Sequence, residues 1–147
     1  MTLLNQIAPG LERKIEALSI DQCRRVVAKT AEKISPSIKD LERPIHDLLK
    51  AASSRNTLSP DQVAELRSYA ATADDRYLSL QEEGAESLVW RNWFAKARLA
   101  TSLADVFGGS THEVALEAVY ELCFVKHEKS AVIALVNSEI QLLDCNE

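Results

Sequence analysis

Apolar residues recur along this chain at intervals of three and four positions, the spacing that places side chains on one face of an α-helix. The longest such stripe runs from Val63 to Leu80, and Gly84 interrupts the pattern soon after it. Residues 59–62 precede the stripe with Ser, Pro and Gln in the positions that favour a helix N-terminus. The pattern therefore predicts a helix of about six turns in the middle of the chain.

Two shorter stripes come before this helix. Ser19 with Gln22 is a capping box that opens a segment with apolar residues at helical spacing, and Pro36 follows its end. Another stripe covers residues 38–52 and contains Pro44. A proline at this place indicates either a kink or the start of a second short helix, and we expect the kink.

The segment of residues 86–107 is apolar almost all the way round when its side chains are placed at about 100° per residue. Such a helix is expected at the centre of the fold, where its alanines let neighbouring helices approach closely. Trp90, Trp93 and Phe94 are expected in the core, with Trp90 the nearer of the two tryptophans to the surface. The clearly polar side of this helix holds only Arg91, Arg98, Ser102 and Asp105.

The C-terminal third contains two further helical segments. Gly108 begins a glycine pair that ends the apolar segment, and Ser110 with Glu113 forms another capping box. The polar stretch 126–129 predicts a turn. The last segment, residues 131–143, has a short β-branched run, but no second strand exists to pair with it, so we expect a helix.

About seven helices joined by short turns predict an all-α fold, a single domain over residues 1–147 built as a helical bundle or an irregular stack of antiparallel hairpins. The composition agrees with this prediction. A chain of 147 residues with 46% hydrophobic residues can bury one continuous core without disulfides or metals. Four glycines and four prolines are too few for the many turns of an all-β protein.

The start of the chain and its cysteines bear on localisation. The first ten residues lack the features of a secretory signal, and no apolar run approaches the roughly 20 residues needed to span a bilayer. We therefore expect a cytoplasmic protein with no membrane partner. Cys23, Cys123 and Cys145 lie far apart without a C-x-x-C pair, so buried or idle thiols are expected rather than a disulfide framework or a zinc site.

The net charge of −5 is unevenly distributed along the chain. Residues 1–50 carry nine Lys/Arg against seven Asp/Glu, whereas residues 51–147 carry eight against fifteen. Because an acidic domain repels phosphate backbones and anionic membranes, a basic protein partner is favoured over nucleic acid. A surface that is charged only for solubility is the alternative.

Candidate chemistry is sparse. His46, His112 and His127 belong to no metal-binding or catalytic motif, and we expect His112 to face solvent and His46 to pack at the edge of the core. No Gly-rich phosphate loop or nucleophile elbow is present. The sequence therefore predicts no catalytic residue, no metal site and no cofactor.

Carboxylates cluster around the junction that follows the helix predicted from the Val63–Leu80 stripe, and Arg76 is the only cation among them. Such a cluster can bind a divalent cation, raise the pKa of one carboxyl group for acid–base chemistry, or face a basic partner. The spacing does not match an EF-hand loop, so a metal is disfavoured. A solvated helix face and an interaction surface both stay open. The predicted partner-binding residues are Asp74, Asp75, Glu82, Glu83, Glu86 and Trp90.

The stretch WRNWFAKARLATSLAD at residues 90–105, followed by ALEAVYEL at residues 115–122, resembles parts of the small acidic all-helical immunity proteins of bacterial polymorphic toxin systems. This resemblance implies a non-enzymatic protein that binds a cognate toxin domain and blocks its active site. Two other classes stay open. One is a helical enzyme with Arg91, Arg98 and Glu86 around a pocket between helices, and the other is a self-associating module, such as a homodimer.

Overall fold

The computed structural model describes residues 3–126 and 128–145 of the chain. Within these residues the fold contains eight α-helices and a 3-10 turn but no strand, so the predicted all-α bundle is confirmed, with one helix more than expected. The helices are α1 (Leu3–Ile7), α2 (Leu11–Glu16), α3 (Ile20–Ile34), α4 (Arg43–Arg55), α5 (Pro60–Glu82), α6 (Ser87–Gly108), α7 (His112–Leu122) and α8 (Lys129–Cys145).

Helix α6 is the central helix, as its apolar surface predicts. It packs along α5 as a helical hairpin and also contacts α3, α4 and α7. Leu99, Ala100, Leu103 and Ala104 are completely buried there, because small side chains alternate with leucines and let the neighbouring helices come close. Helix α3 contacts α4, α7 and α8, and the short α1 and α2 cover α7.

The turn between α5 and α6 is a helix stop that depends on glycine. Gly84 has a φ of 76°, which side-chain-bearing residues rarely adopt, and the Ala85 N–H donates to the Leu80 carbonyl at 3.0 Å. This arrangement satisfies a carbonyl at the end of α5 and reverses the chain within a few residues. It therefore places the last turn of α5 and the first turn of α6 at the same end of the hairpin.

Two of the three predicted capping boxes form as expected. Ser19 and Gln22 cap α3, and Ser59 and Gln62 cap α5, each by a reciprocal pair of side-chain to backbone hydrogen bonds. The prediction that Ser110 caps the next helix is wrong. Thr111 is the N-cap of α7, because its backbone is extended and its hydroxyl accepts from the Val114 N–H at 3.2 Å.

The expected kink at Pro44 is also wrong. Pro44 lies in the first turn of α4, where its missing N–H has no helical acceptor to lose. The backbone is extended at Glu42, immediately before the helix. Ile38 and Leu41 therefore pack on the core from the segment that leads into α4 and not from the helix itself.

The two histidines in the described residues lie differently from the prediction. The His112 ring is half-buried, with Nε2 at 2.6 Å from the Leu18 carbonyl, because the start of α7 packs near the end of α2. His46 is exposed on α4 rather than packed at the core edge. His127 lies outside the described residues, as does the side chain of Cys145. In the described part of the chain, no helix has the length and apolar character to cross a membrane.

Candidate functional site

Four of the five predicted carboxylates are exposed around the turn of the α5/α6 hairpin. Glu82 ends α5, Glu83 is its C-cap residue, and Glu86 is the N-cap residue of α6. Asp75 lies two turns before Glu82 on the same face of α5, because seven residues complete nearly two helical turns. We call these four exposed carboxylates, Asp75, Glu82, Glu83 and Glu86, the acidic tip.

Asp74 stands apart from the acidic tip because its carboxylate is ion-paired to Arg98 within the chain. Nη2 of Arg98 lies 2.9 Å from each Asp74 carboxylate oxygen, and Nη1 of Arg98 lies 2.6 Å from a Glu121 oxygen. Burial disfavours the Arg98 charge, but Glu121 and Asp74 outweigh it and raise the pKa of Arg98. This ion-pair network joins α5, α6 and α7, so Asp74 has a partner within the chain.

Large apolar side chains are exposed at the same end of the hairpin. Leu88 is 74% exposed and Val89 is 45% exposed in the first turn of α6, and Leu78 is 48% exposed near the end of α5. Isolated exposed apolar residues are common, but here three large ones are exposed on two adjoining helix ends. We call Leu78, Leu88 and Val89 the apolar tip.

The expectation that Trp90, Trp93 and Phe94 lie in the core is wrong. Trp90, Trp93 and Phe94 are all half-buried, and the first buried residue of α6 is Ala95. Tyr77 of α5 packs against Trp90 and Phe94, with ring centroids 5.8 and 5.1 Å apart. The N-terminal part of α6 therefore has α5 beside it but is not enclosed, which leaves Trp90 partly available next to the apolar tip.

A pocket of about 610 Å³ lies against the N-terminal half of α6, a volume within the range of small-molecule sites. Four cationic side chains line it, together with three aromatic rings and smaller apolar groups, and no acidic residue of the described chain does. We call it the basic pocket. Its cations are Lys39, Arg91, Lys126 and Lys129, and its rings are Trp90, Phe94 and Phe124.

One wall of the basic pocket is held by two hydrogen bonds between the side-chain amide of Asn92 and the backbone of Lys39. The Lys39 N–H donates to Asn92 Oδ1 at 2.9 Å, and Asn92 Nδ2 donates to the Lys39 carbonyl at 2.8 Å. Another lining residue, Cys123, is completely buried, and burial raises the pKa of its thiol to about 11 despite the opposing charge of Lys129. The thiol is therefore protonated at neutral pH and is a poor nucleophile.

A third group of polar side chains lies on the other side of α6. Lys96 is only 3% exposed, and its Nζ lies 2.6 Å from Glu42 Oε1 and 4.0 Å from the centroid of the Trp93 ring. The Tyr69 hydroxyl donates to the other Glu42 oxygen. Sequence reasoning missed this cluster, although Lys96 lies about half a turn away from the polar side of α6, where a charge requires a partner.

The Lys96 cluster makes stability depend on pH. Burial acts to raise the pKa of Glu42, but hydrogen bonds from Lys96 and Tyr69 and the Lys96 charge lower it below its ordinary value of 4.5. Ionised Glu42 therefore stabilises the fold at neutral pH, and this contribution is lost as the pH falls below 4.5. Glu42→Gln should reduce the loss of unfolding free energy between about pH 5 and pH 3, measured by urea denaturation.

Glu117→Gln is the matched control because it removes an exposed carboxylate from α7. We expect this variant to lose stability with acid as steeply as the unmodified protein. An equal slope for the Glu42→Gln variant and the unmodified protein would show that the cluster contributes nothing to the acid response.

The remaining candidate chemistry is limited. Of the three residues considered for an enzyme pocket, Arg91 lines the basic pocket, whereas Arg98 is ion-paired and Glu86 belongs to the acidic tip. Among the described residues, no three His, Cys, Asp or Glu side chains gather closely enough to hold a metal ion.

No family model, curated protein or solved structure matches the chain. Function is therefore inferred from the chemistry of its own residues.

Proposed function

We propose that this chain is a non-enzymatic binding protein that docks the tip of its α5/α6 hairpin on a basic surface of a partner protein. The observation that carries this proposal is the 74% exposure of Leu88, together with the exposure of Val89 and Leu78, within one or two turns of the acidic tip. An exposed apolar surface bordered by charged residues is typical of protein interfaces.

The two parts of this surface have different roles in the proposed complex. Fully burying a leucine or valine side chain contributes about 1.5–3 kcal/mol, so Leu88 and its apolar neighbours supply affinity at the centre of the contact. The carboxylates of the acidic tip remain partly hydrated at the rim. They accelerate encounter with a positively charged partner and disfavour acidic ones.

Charge also argues for a different protein as the occupant rather than a second copy of this chain. In a two-fold symmetric contact through the hairpin tip, the acidic residues of the two copies face each other. Repulsion among these carboxylates opposes such a dimer, whereas a basic surface neutralises them. A homodimer is therefore an outcome that the test has to distinguish.

The finer part of the proposal is an immunity-type inhibitor acting in the bacterial cytoplasm. The resemblance of residues 90–105 and 115–122 to small acidic immunity proteins supports it, and residues 90 and 91 continue directly from the apolar tip. A partner active site that binds anionic substrates carries the positive charge that the acidic tip requires. Occupation of that site by the hairpin tip blocks the partner's activity.

Neutralising the acidic tip should weaken the complex by about tenfold and reduce its sensitivity to salt. The purified protein is used to capture partners from a lysate of its own cells at low and moderate salt, and the captured protein is produced separately. Dissociation constants are then measured by calorimetry for the unmodified chain and for a variant with Asp75→Asn, Glu82→Gln, Glu83→Gln and Glu86→Gln.

The control variant changes the same number of exposed carboxylates on α2, α3, α4 and α7, so both variants have the same net charge. It should bind almost as tightly as the unmodified protein. A partner with an acidic contact surface, equal weakening by both variants, or capture of only this chain itself contradicts the docking proposal. The control substitutions are Glu16→Gln, Glu32→Gln, Asp47→Asn and Glu117→Gln.

The inhibitor function requires a further measurement. The captured protein should slow the growth of cells that produce it, and co-production of this chain should restore growth. The acidic-tip variant should restore growth less well than the control variant at equal protein levels. A partner that does not affect growth would leave the binding function in place and remove the immunity interpretation.

A further inference from the structure

The basic pocket collects like charges without compensation. Lys39 comes from the segment before α4, Arg91 from α6, and Lys126 and Lys129 from the region between α7 and the start of α8. Within residues 3–126 and 128–145, none of the four side chains forms an ion pair with a carboxylate. Asp40 and Glu128 adjoin two of the lysines in sequence but do not line the pocket.

Aromatic rings hold two of these cations in place. The Arg91 guanidinium lies 5.5 Å from the centroid of the Trp90 ring, and Lys129 Nζ lies 4.6 Å from the centroid of the Phe124 ring. Both rings line the pocket, so each cation lies beside an apolar surface while its side chain stays exposed to solvent. The pocket thus offers flat aromatic surfaces and positive charges to the same ligand.

The Lys39 side of the pocket is also organised in advance. The two hydrogen bonds between the Lys39 backbone and the Asn92 side chain fasten the segment before α4 to α6, so the Lys39 backbone is held in place without a ligand. The lining cysteine is a neutral thiol, and the other described polar groups of the lining are cations, hydroxyl and amide groups. Such a set of groups holds an anion and has no strong proton acceptor at neutral pH.

We propose that the basic pocket binds a small organic anion that has a flat aromatic body. The cations, above all Arg91 and Lys129, contact the phosphate or carboxylate of the ligand, because charge-assisted hydrogen bonds to these groups are strong. Trp90, Phe94 and Phe124 contact its aromatic body. The volume of about 610 Å³ suits one small molecule. This inference is independent of the function proposed for the acidic tip.

The test uses calorimetric titration of the full chain with probes that separate charge from aromatic surface. Adenosine 5′-monophosphate carries both features, adenosine lacks the charge, and ribose 5-phosphate lacks the base. Indole-3-acetate replaces the phosphate by a carboxylate. At low salt, we expect at least one of the two aromatic anions to bind with a Kd below about 1 mM, and to bind at least tenfold more tightly than adenosine and ribose 5-phosphate.

Binding of adenosine monophosphate alone assigns the anion as a phosphate, and binding of indole-3-acetate alone assigns it as a carboxylate. Failure of both aromatic anions to bind overturns the proposal. Equal binding of adenosine or ribose 5-phosphate also overturns it, because one of the two ligand features then contributes nothing.

A double variant, Arg91→Met with Lys129→Met, locates the binding in the pocket. It removes two charges but keeps apolar side chains of similar length, and we expect the affinity for the aromatic anion to fall at least tenfold. The control is Arg13→Met with Lys50→Met, which removes two exposed cations outside the pocket. Equal affinities of the two double variants overturn the assignment of the site.

Salt provides a second measurement that needs no variant and no assumption about folding. Binding of the aromatic anion to the unmodified chain should weaken steadily as sodium chloride is added, because the pocket cations are largely accessible to solvent. Affinity that does not change with salt contradicts recognition of the ligand by charge.

Discussion

Replacing Leu103 with alanine should lower the free energy of unfolding by about 2–5 kcal/mol, the range found when a buried leucine is truncated in a packed core. Leu103 is completely buried in α6, which contacts four other helices. The surrounding side chains are held by those helices and cannot collapse fully into the space. Because small domains are stable by only about 5–15 kcal/mol, this single change removes a large part of the total.

Urea denaturation followed by circular dichroism gives this difference, and Leu142→Ala is the matched control. Leu142 is exposed on α8, so the same deletion of methyl groups should change stability by no more than about 0.5 kcal/mol. Equal losses in the two variants would contradict the central position of α6.

Arg98→Met should lower the unfolding free energy by about 1–3 kcal/mol, a value between those for exposed and fully buried ion pairs. The Arg98 side chain is 18% exposed, and its partners Asp74 and Glu121 are 36% and 22% exposed. Methionine keeps much of the packing volume but leaves the two carboxylates without their cation. The residual contact with solvent screens part of this penalty, which keeps it below the value for a fully buried pair.

Arg91→Met is the control for Arg98→Met, because Arg91 is on the same helix and has no carboxylate partner among the described residues. It should cost less than about 0.5 kcal/mol. Adding Asp74→Asn to the Arg98→Met variant should recover part of the lost stability, since one of the two unpaired charges is then removed. A further loss instead of a recovery would show that Asp74 stabilises the fold through contacts other than Arg98.

The Arg98 network also changes the interpretation of the acidic residues. The sequence does not distinguish the five carboxylates near this helix junction from one another. In the structure, Asp74 belongs to the ion-pair network with α6 and α7, whereas the acidic tip is exposed. The neighbouring position Asp75 differs from Asp74 by about 100° around α5, which is enough to turn it from the bundle to solvent. Partner binding and stability are therefore separable by mutation at two adjacent aspartates.

Opposite charges flank the start of α6. The acidic tip lies at the hairpin turn, whereas the basic pocket lies against the next turns of the helix and includes Leu88 and Trp90 in its lining. Because Leu88 belongs to both the apolar tip and the pocket lining, a partner docked on the tip covers the edge of the pocket. A ligand in the pocket and a partner on the tip are therefore expected to influence each other's binding.

Local structure was predictable because its signals are short in sequence. The capping boxes at Ser19 and Ser59 and the start and end of α5 each depend on residues within about one turn. The errors at Ser110 and Pro44 are of the same local kind. Adjacent Ser and Thr compete for one N-cap, and a proline fits the first turn of a helix as readily as a kink.

The aromatic residues in the first two turns of α6 show where periodicity stops being informative. The apolar surface of α6 indicates that neighbours surround it, but it does not indicate at which residue those neighbours end. Trp90, Trp93 and Phe94 lie before the enclosed part of the helix, which begins at Ala95. Their half-buried state follows from the lengths and positions of the other helices, which are encoded elsewhere in the chain.

The amino-acid sequence by itself determined the all-α class, the two capping boxes and the central place of α6, because helix periodicity and capping act within a few residues. Only the tertiary structure decided which charges are paired and which are free. Glu42 and Lys96 are 54 residues apart, and the basic pocket draws on segments between residues 37 and 129. Such groups meet only when helices pack, since the packing brings together residues that no local signal connects.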